Sequence, residues 1–433
     1  MKKTLLCVPL CLLCHVAVLA VCFGLLCAAA AVPDGKLTDS LRESSEKLAV
    51  HDPHEFTVSG LYSSAGDNYA DAILLGLAAN MTSEDIPRSV LDTKYYDDDF
   101  GPAVGIRATL DGKPANVDYT RYWHGSLVAV RPLLAVTDIS GIRIIGAAVI
   151  LLMLAADCAW LIYKRHTAAC VILGVSAVLT QFWFALTTLE YMPVYIIMLG
   201  AVPLYVRFAD NTRALAVISA GVGTLTAFAD FLTAETLTLL VPLTAAFFVI
   251  AEKGERPDGK KSLAMLACCA VPWGASYLLT FAVKWAAASA VVGQDKSSAA
   301  FSAAGERFAG SVDGFDSPIE LMFSALGANL SRLTYTSEKI SITGVIVWAV
   351  LFAFVVTVLW RIDRKRHNLP TAAMTVIALL PLIRFCVLMN HSYLHNFFTY
   401  RALMPSIMAV IGMAWYRVGG TANKLKKKQK SKN

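Results

Sequence analysis

Residues 143–163 read RIIGAAVILLMLAADCAWLIY, and this stretch decides the fold class. Between Arg143 and the Lys164-Arg165 pair it carries a single charged side chain, Asp157. Roughly 20 apolar residues in a helix cross a hydrocarbon core of about 30 Å. Helix is the expected form, because lipid offers no partners to unpaired backbone groups and the weak alternation of a barrel is absent. The pattern recurs along the chain. Of 433 residues 56% are apolar and only 16% are charged, where a soluble domain carries about a quarter charged.

Working outward, the expected spans are 5–30, 143–163, 168–188, 191–206, 214–231, 234–251, 263–283, 341–360, 369–389 and 400–416. The fold class is therefore all-α, a polytopic membrane helix bundle of about ten spans. Cytoplasmic loops concentrate Lys and Arg. With Lys2 and Lys3 inside, the same side receives Lys164/Arg165, Arg207/Arg213, Lys253/Arg256/Lys260/Lys261, Arg361/Arg364/Lys365/Arg366 and the tail from Lys424 to Lys432. A multi-pass cell-membrane protein with both ends in the cytoplasm is expected. The apolar stretch Leu5–Val32 exceeds the roughly 7–15 residues of a signal-peptide core, so 1–32 reads as a retained anchor despite the small residues Cys27-Ala28-Ala29-Ala30. All ten cysteines fall in expected spans, which implies no disulfide framework. Cys11 and Cys14 have CxxC spacing without a second pair, so zinc is not expected there. The basic tail suits anionic lipid headgroups and calls for no nucleic acid partner.

Two outer loops are too long to be simple connectors, 33–142 and 284–340. They divide the chain into the anchor, the first loop, a bundle at 143–283, the second loop, a bundle at 341–416 and the tail at 417–433. The first loop contains GDNYADAILLGLAANM from Gly66. Its apolar residues Ala70, Ile73, Leu74, Leu77, Ala78 and Met81 recur at helical spacing. Such a helix would lie on the membrane or pack against the bundle. Asp67 and Asp71 stack on one side of its first turn. Each is a catalytic candidate, although Asp67 also suits an N-cap and Asp71 the positive helix end. DYTRYWHGSLVAVRPLL (118–134) reads either as an interfacial aromatic belt or as a pocket wall in which His124 and Arg131 meet an anionic headgroup. Asp230 and Glu235 sit at the turn of AFADFLTAETLTLL (227–240), and an ionisable group at membrane depth is a functional candidate. The stretch 384–405, RFCVLMNHSYLHNFFTYRALMP, gathers His391, His395, Tyr400 and Arg401. The His pair has helical metal-ligand spacing without a third ligand, so a cationic, hydrogen-bonding surface for phosphate or sugar is preferred. Asp157 is expected to pair with Lys164 or Arg165.

These residues resemble the GT-C superfamily of membrane glycosyltransferases, which includes protein O-mannosyltransferases and aminoarabinose transferases. The likeness lies in a cytoplasmic N-terminus, one span, then a large outer loop whose amphipathic helix opens on an acidic pair, Asp67 and Asp71, with Asn68 where a second acid would follow Asp67. HGSLVAVRPLL followed by GIRIIGAAVILLML is similar to the family's HPPL segment and the span entered after an Arg, here Arg143. His124 and Leu127 fill comparable places, and Gly125-Ser126 replaces Pro-Pro. Asp230-Phe231 and 390–401 resemble FFDFLT- and NHSYxHxFFTYR-like segments of uncharacterised bacterial membrane proteins. The resemblance implies inverting transfer of a sugar from a polyprenyl-phosphate carrier to an envelope glycan, lipid or protein on the outer face. It implies Asp67 or Asp71 as general base, with His124, Arg131, Asp230, His391, His395, Tyr400 and Arg401 contacting substrate. No cofactor is assigned, and a divalent cation is left open. A lipid or polysaccharide flippase, or a non-catalytic envelope-assembly protein, would share the many spans. The flippase would show inverted repeats, and no mirrored halves are visible.

Overall fold

The computed structural model describes residues 7–51, 66–253, 259–309, 312–333 and 369–416. The expected span at 341–360 and the basic clusters at 361–366 and 424–432 lie outside the described residues. In chain order the helices are α1 (Cys7–Ala30), α2 (Thr38–Val50), α3 (Asn68–Asn80), α4 (Ile86–Leu91), α5 (Pro102–Leu110), α6 (Leu127–Leu134), α7 (Ile139–Tyr163) and α8 (Thr167–Leu179). They continue as α9 (Met192–Arg207), α10 (Thr212–Ala229), α11 (Leu237–Glu252), α12 (Gly259–Val292), α13 (Ser297–Ala309), α14 (Pro318–Ser331), α15 (Thr371–Val387) and α16 (Met389–Leu394), and α17 (Asn396–Tyr416). Two short strands, β1 (Lys94–Tyr95) and β2 (Val117–Asp118), pair antiparallel with Lys94 opposite Asp118.

Helices α1, α7, α10, α12 and α17 are long and apolar enough to cross a membrane, and the shorter α8, α9, α11 and α15 are also apolar. The chain is a helical membrane protein. Its packing follows from that solvent. Leu13 and Val16 of α1, Ile144 and Leu152 of α7, and Val271 and Leu278 of α12 are exposed, as residues facing lipid tails should be. At the centre, every residue of α11 from Leu237 to Ala251 is buried. Close approach of α10 and α12 depends on Gly223, where a Cβ would lie 2.2 Å from the Trp273 carbonyl oxygen. Small residues at helix crossings are how membrane bundles gain contact without a hydrophobic drive between helices.

The structure departs from the expected spans in three places. The span read at 168–188 is helical only to Leu179. Thr180 bonds back to the Ser176 carbonyl at 2.8 Å, Gln181 turns left-handed at φ 53°, and a 3-10 turn follows over Phe182–Leu186. The span read from 234 starts at Leu237, because Asp230 organises the preceding residues into a turn. The span read at 263–283 belongs to a 34-residue helix, roughly 51 Å long at 1.5 Å per residue, which projects well beyond a hydrocarbon core. Asp157 is also corrected: it is buried, and its Oδ2 has no partner among the described residues.

Candidate functional site

Helix α3 begins where its sequence predicts. The Asp67 Oδ1 accepts the Ala70 N–H at 2.8 Å, a standard N-cap bond, while the Asp67 N–H donates to Thr188 Oγ1 at 3.2 Å. The helix is buried on almost every side, so of the two expected placements it takes the packed one. Asp71, one turn on, does different work. Its Oδ2 accepts Arg143 Nε at 2.9 Å and Nη2 at 2.7 Å, and its Oδ1 accepts the Leu189 N–H at 2.9 Å. It is wholly buried and ties α3 to α7 and to the 188–190 segment. Burial pushes its carboxyl up to about 6, against the opposing pull of the Arg143 guanidinium. Both Asp71 oxygens are engaged by the chain itself, in bonds to Arg143 and the Leu189 N–H.

The 118–134 segment packs into the protein. Tyr122 and Trp123 are buried, and Trp123 Nε1–H donates to the Thr280 carbonyl at 2.7 Å. His124 takes a left-handed φ of 56°. Its Nε2–H donates to the Tyr119 carbonyl at 2.8 Å, and its ring stacks on Tyr119. Burial first, then the Lys284 charge, pull its pKa down to about 3, so the ring is neutral. Gly125 is required by its neighbours: its N–H meets the Phe228 carbonyl at 2.8 Å, and a Cβ would lie 2.6 Å from that oxygen. Arg131 overturns its expected role. Its guanidinium donates to the Ala29 carbonyl at 3.1 Å, to Val32 at 3.0 Å and to Ala78, and pairs with Asp34. Ala29 and Ala78 lie in the last turns of α1 and α3, whose carbonyls lack intrahelical partners. Arg131 is a clamp on two helix ends and has no guanidinium face left for a headgroup.

Asp230 likewise acts through the chain. Its carboxylate accepts the Leu232 N–H at 2.9 Å and the Thr233 N–H at 3.2 Å. These bonds hold Leu232 at φ 68°, a conformation that costs a branched side chain energy. The Leu232 carbonyl thereby meets His391 Nε2–H at 2.9 Å and Arg384 Nη2 at 3.0 Å. Arg384 also forks onto Glu235 at 2.6 and 2.8 Å. His391 is held neutral by burial, then by His395. With Nε2–H committed to a carbonyl, Nδ1 is left as an acceptor, which suits a hydroxyl and not a phosphate. His395 stacks on Phe398 and lies 4.7 Å from His391, ring to ring. Tyr400 and Arg401 are buried behind this pair, the Arg401 guanidinium lying 4.2 Å from the Tyr191 ring centre.

These elements line a partly open cavity of about 130 Å³, near the ~150 Å³ of an interior cavity that binds benzene. Asp67, His391 and His395 line it, with Tyr119, Tyr122 and Phe231 as aromatic wall. Asp71, His124, Arg131, Asp230, Tyr400 and Arg401 do not. Two lining residues escaped the sequence reading. Glu190 is 9% exposed and its Oε2 has no partner among the described residues. Burial, then the charges of Asp67, Asp230 and Asp71, push its carboxyl well above the usual range. Arg307 of α13 lies over the Tyr122 ring at 5.8 Å, its Nη1 donating to the Ala303 carbonyl at 3.0 Å while its buried Nε has no partner among the described residues. Arg121 stacks on Tyr119 nearby, 4.3 Å from the ring centre. Behind the cavity runs an apolar groove of about 410 Å³ between α1, α6, α7 and α9, lined by Leu25, Leu133, Val149, Ile196 and Phe228. Leu189 faces the groove and Glu190 the cavity, so one residue step separates them. Among the described residues no three His, Cys, Asp or Glu side chains converge on a metal position. No family model, curated protein or solved structure matches the chain.

Proposed function

We propose that this chain is a GT-C-type membrane glycosyltransferase that moves a sugar from a polyprenyl-phosphate carrier to an acceptor at the outer face. The observation that carries the reading is the pairing of a ring-sized cavity containing Asp67, His391, His395 and Arg307 with an apolar groove one residue away. In this reading the chain crosses the bilayer about ten times, with both ends cytoplasmic. The basic clusters support that orientation. Lys253 pairs with Asp210, and His166 with Glu252, at the end of the bundle opposite the cavity.

The acceptor oxygen attacks the anomeric carbon and its proton passes to Asp67 as general base. The bond from that carbon to the carrier phosphate oxygen breaks, its electron pair staying on the oxygen. The products are an inverted glycoside and polyprenyl phosphate. Arg307, with Arg121 beside it, meets the charge growing on the phosphate. The phosphate contact is thereby given to these residues and not to the 384–405 stretch. The polyprenyl chain runs in the groove. Purified protein in liposomes, given polyprenyl-phosphate hexoses and pentoses and an acceptor-bearing envelope extract, should release polyprenyl phosphate and glycoside in equal amounts. Arg307→Ala should cut release by about tenfold or more, with Arg307→Lys rescuing in part, since Lys gives no paired donors. Movement of intact donor between leaflets without release would identify a flippase instead.

A further inference from the structure

The second carboxyl in the cavity has no task in the transfer step. Glu190 precedes α9, and its neighbours hold it from several sides. Thr188 and Leu189, just before it, are fixed by Asp67 N–H and by Asp71 Oδ1. Tyr191, just after it, packs under the Arg401 guanidinium. The segment therefore has little freedom, and the side chain between these anchors faces the cavity. Its Oε2 is buried without a hydrogen-bond partner among the described residues. A buried polar atom left unmatched costs about 1–3 kcal/mol unless something arrives to pair it. The cavity it faces, about 130 Å³, is where such a partner would sit.

We propose that Glu190 is the sugar-reading residue of the cavity, hydrogen-bonding one ring hydroxyl of the transferred pyranose while Asp67 takes the acceptor's proton. This rests on the glycosyl-transfer reading above. The chemistry matches on both sides. Glu190 stands among Asp67, Asp71 and Asp230, with Arg401 the opposing charge, and burial disfavours a further negative charge there. As an acid it offers one O–H donor and one carbonyl acceptor, the complement of a hydroxyl that both accepts and donates. Tyr119, Tyr122 and Phe231 supply apolar faces for the ring's C–H surface.

The test uses full-length protein in liposomes, with polyprenyl-phosphate hexoses and their monodeoxy analogues as donors. Wild type should discriminate about tenfold or more against one monodeoxy donor, since losing it strands a buried polar group. Glu190→Ala should lose about tenfold on the parent sugar and use parent and that deoxy donor equally. Glu190→Gln, which keeps a donor and an acceptor, should stay within about threefold of wild type and keep the discrimination. A merely structural Glu190 would lower all donors alike, and this outcome overturns the proposal. A preference for amino-sugar donors that Glu190→Gln abolishes also overturns it, because it would make Glu190 an ion-pairing group. Asp67→Asn separates the two levels. If Asp67→Asn is inactive while Glu190→Ala discriminates as wild type does, this inference alone fails. If Asp67→Asn is fully active, or wild type transfers none of the donors, the glycosyl-transfer reading falls with it.

Discussion

Arg131 and Asp71 are both buried charges, and each spends its charge inside the protein. Removing Arg131 would orphan the Val32 and Ala78 carbonyls and leave the Ala29 carbonyl with only the Val32 N–H. Arg131→Ala should therefore destabilise the fold by at least about 3 kcal/mol and deplete folded protein in the membrane. Thermal melting in detergent reads this directly; normal stability with lost donor use would restore the headgroup role. Asp71 makes a prediction about pH. Its pKa is about 6 in the fold and 3.8 when exposed. The folded state thus binds this proton more tightly than the unfolded chain, so its stabilising contribution is full below about pH 4 and lost as pH rises through about 6. Transfer should run the other way, because below about 6 Asp71 no longer attracts Arg143 and the start of α3 loosens. Activity is expected to drop about tenfold from pH 7 to 5 without a fall in melting temperature, and Asp71→Asn should flatten that limb. A limb that survives in Asp71→Asn belongs to another group. The sequence made Asp67 legible because a cap is local, joining it to Ala70. It hid Arg131, whose partners are backbone carbonyls that carry no residue signature.

At the scale of elements, hydrophobic length located the helices well, and short turns set where they stop. Helix α8 ends early because Gln181 is left-handed, and α11 starts late because Asp230 folds the residues before it. Neither follows from apolar composition. The α10–α12 crossing is a sharper case. Gly223 faces the Trp273 carbonyl, while Gly174 on α8 has open space around it. Gly223→Ala should destabilise by about 1–3 kcal/mol because backbone must move. Gly174→Ala, adding helix propensity without a clash, should be neutral or stabilising by up to about 1 kcal/mol. Equal effects in melting experiments would contradict the close crossing. Glu190 was illegible for a related reason. It lies outside the long apolar runs, and only the assembled α3, the Asp230 turn and α16 make it part of a cavity.

For the whole molecule, the sequence established a membrane bundle with a substantial loop after the first helix, but not that this loop folds into the bundle. Its helix α3 is enclosed, and Lys284 of α12 reaches the Val90 and Leu91 carbonyls at 2.9 and 3.1 Å. The proposed topology is checked by reporters. One after Lys432 and one at Lys260 should read cytoplasmic, and one near Asp98 should read external. An external Lys260 would break the alternation of ends on which the ten-span reading rests.

The most direct measurement is sugar transfer by Asp67→Asn, normalised to folded protein. Asn caps a helix about as well as Asp, so stability should stay within about 1 kcal/mol of wild type. An amide cannot take the acceptor's proton, so transfer should fall by about a hundredfold or more. Near-normal transfer by a stably folded Asp67→Asn would contradict the account.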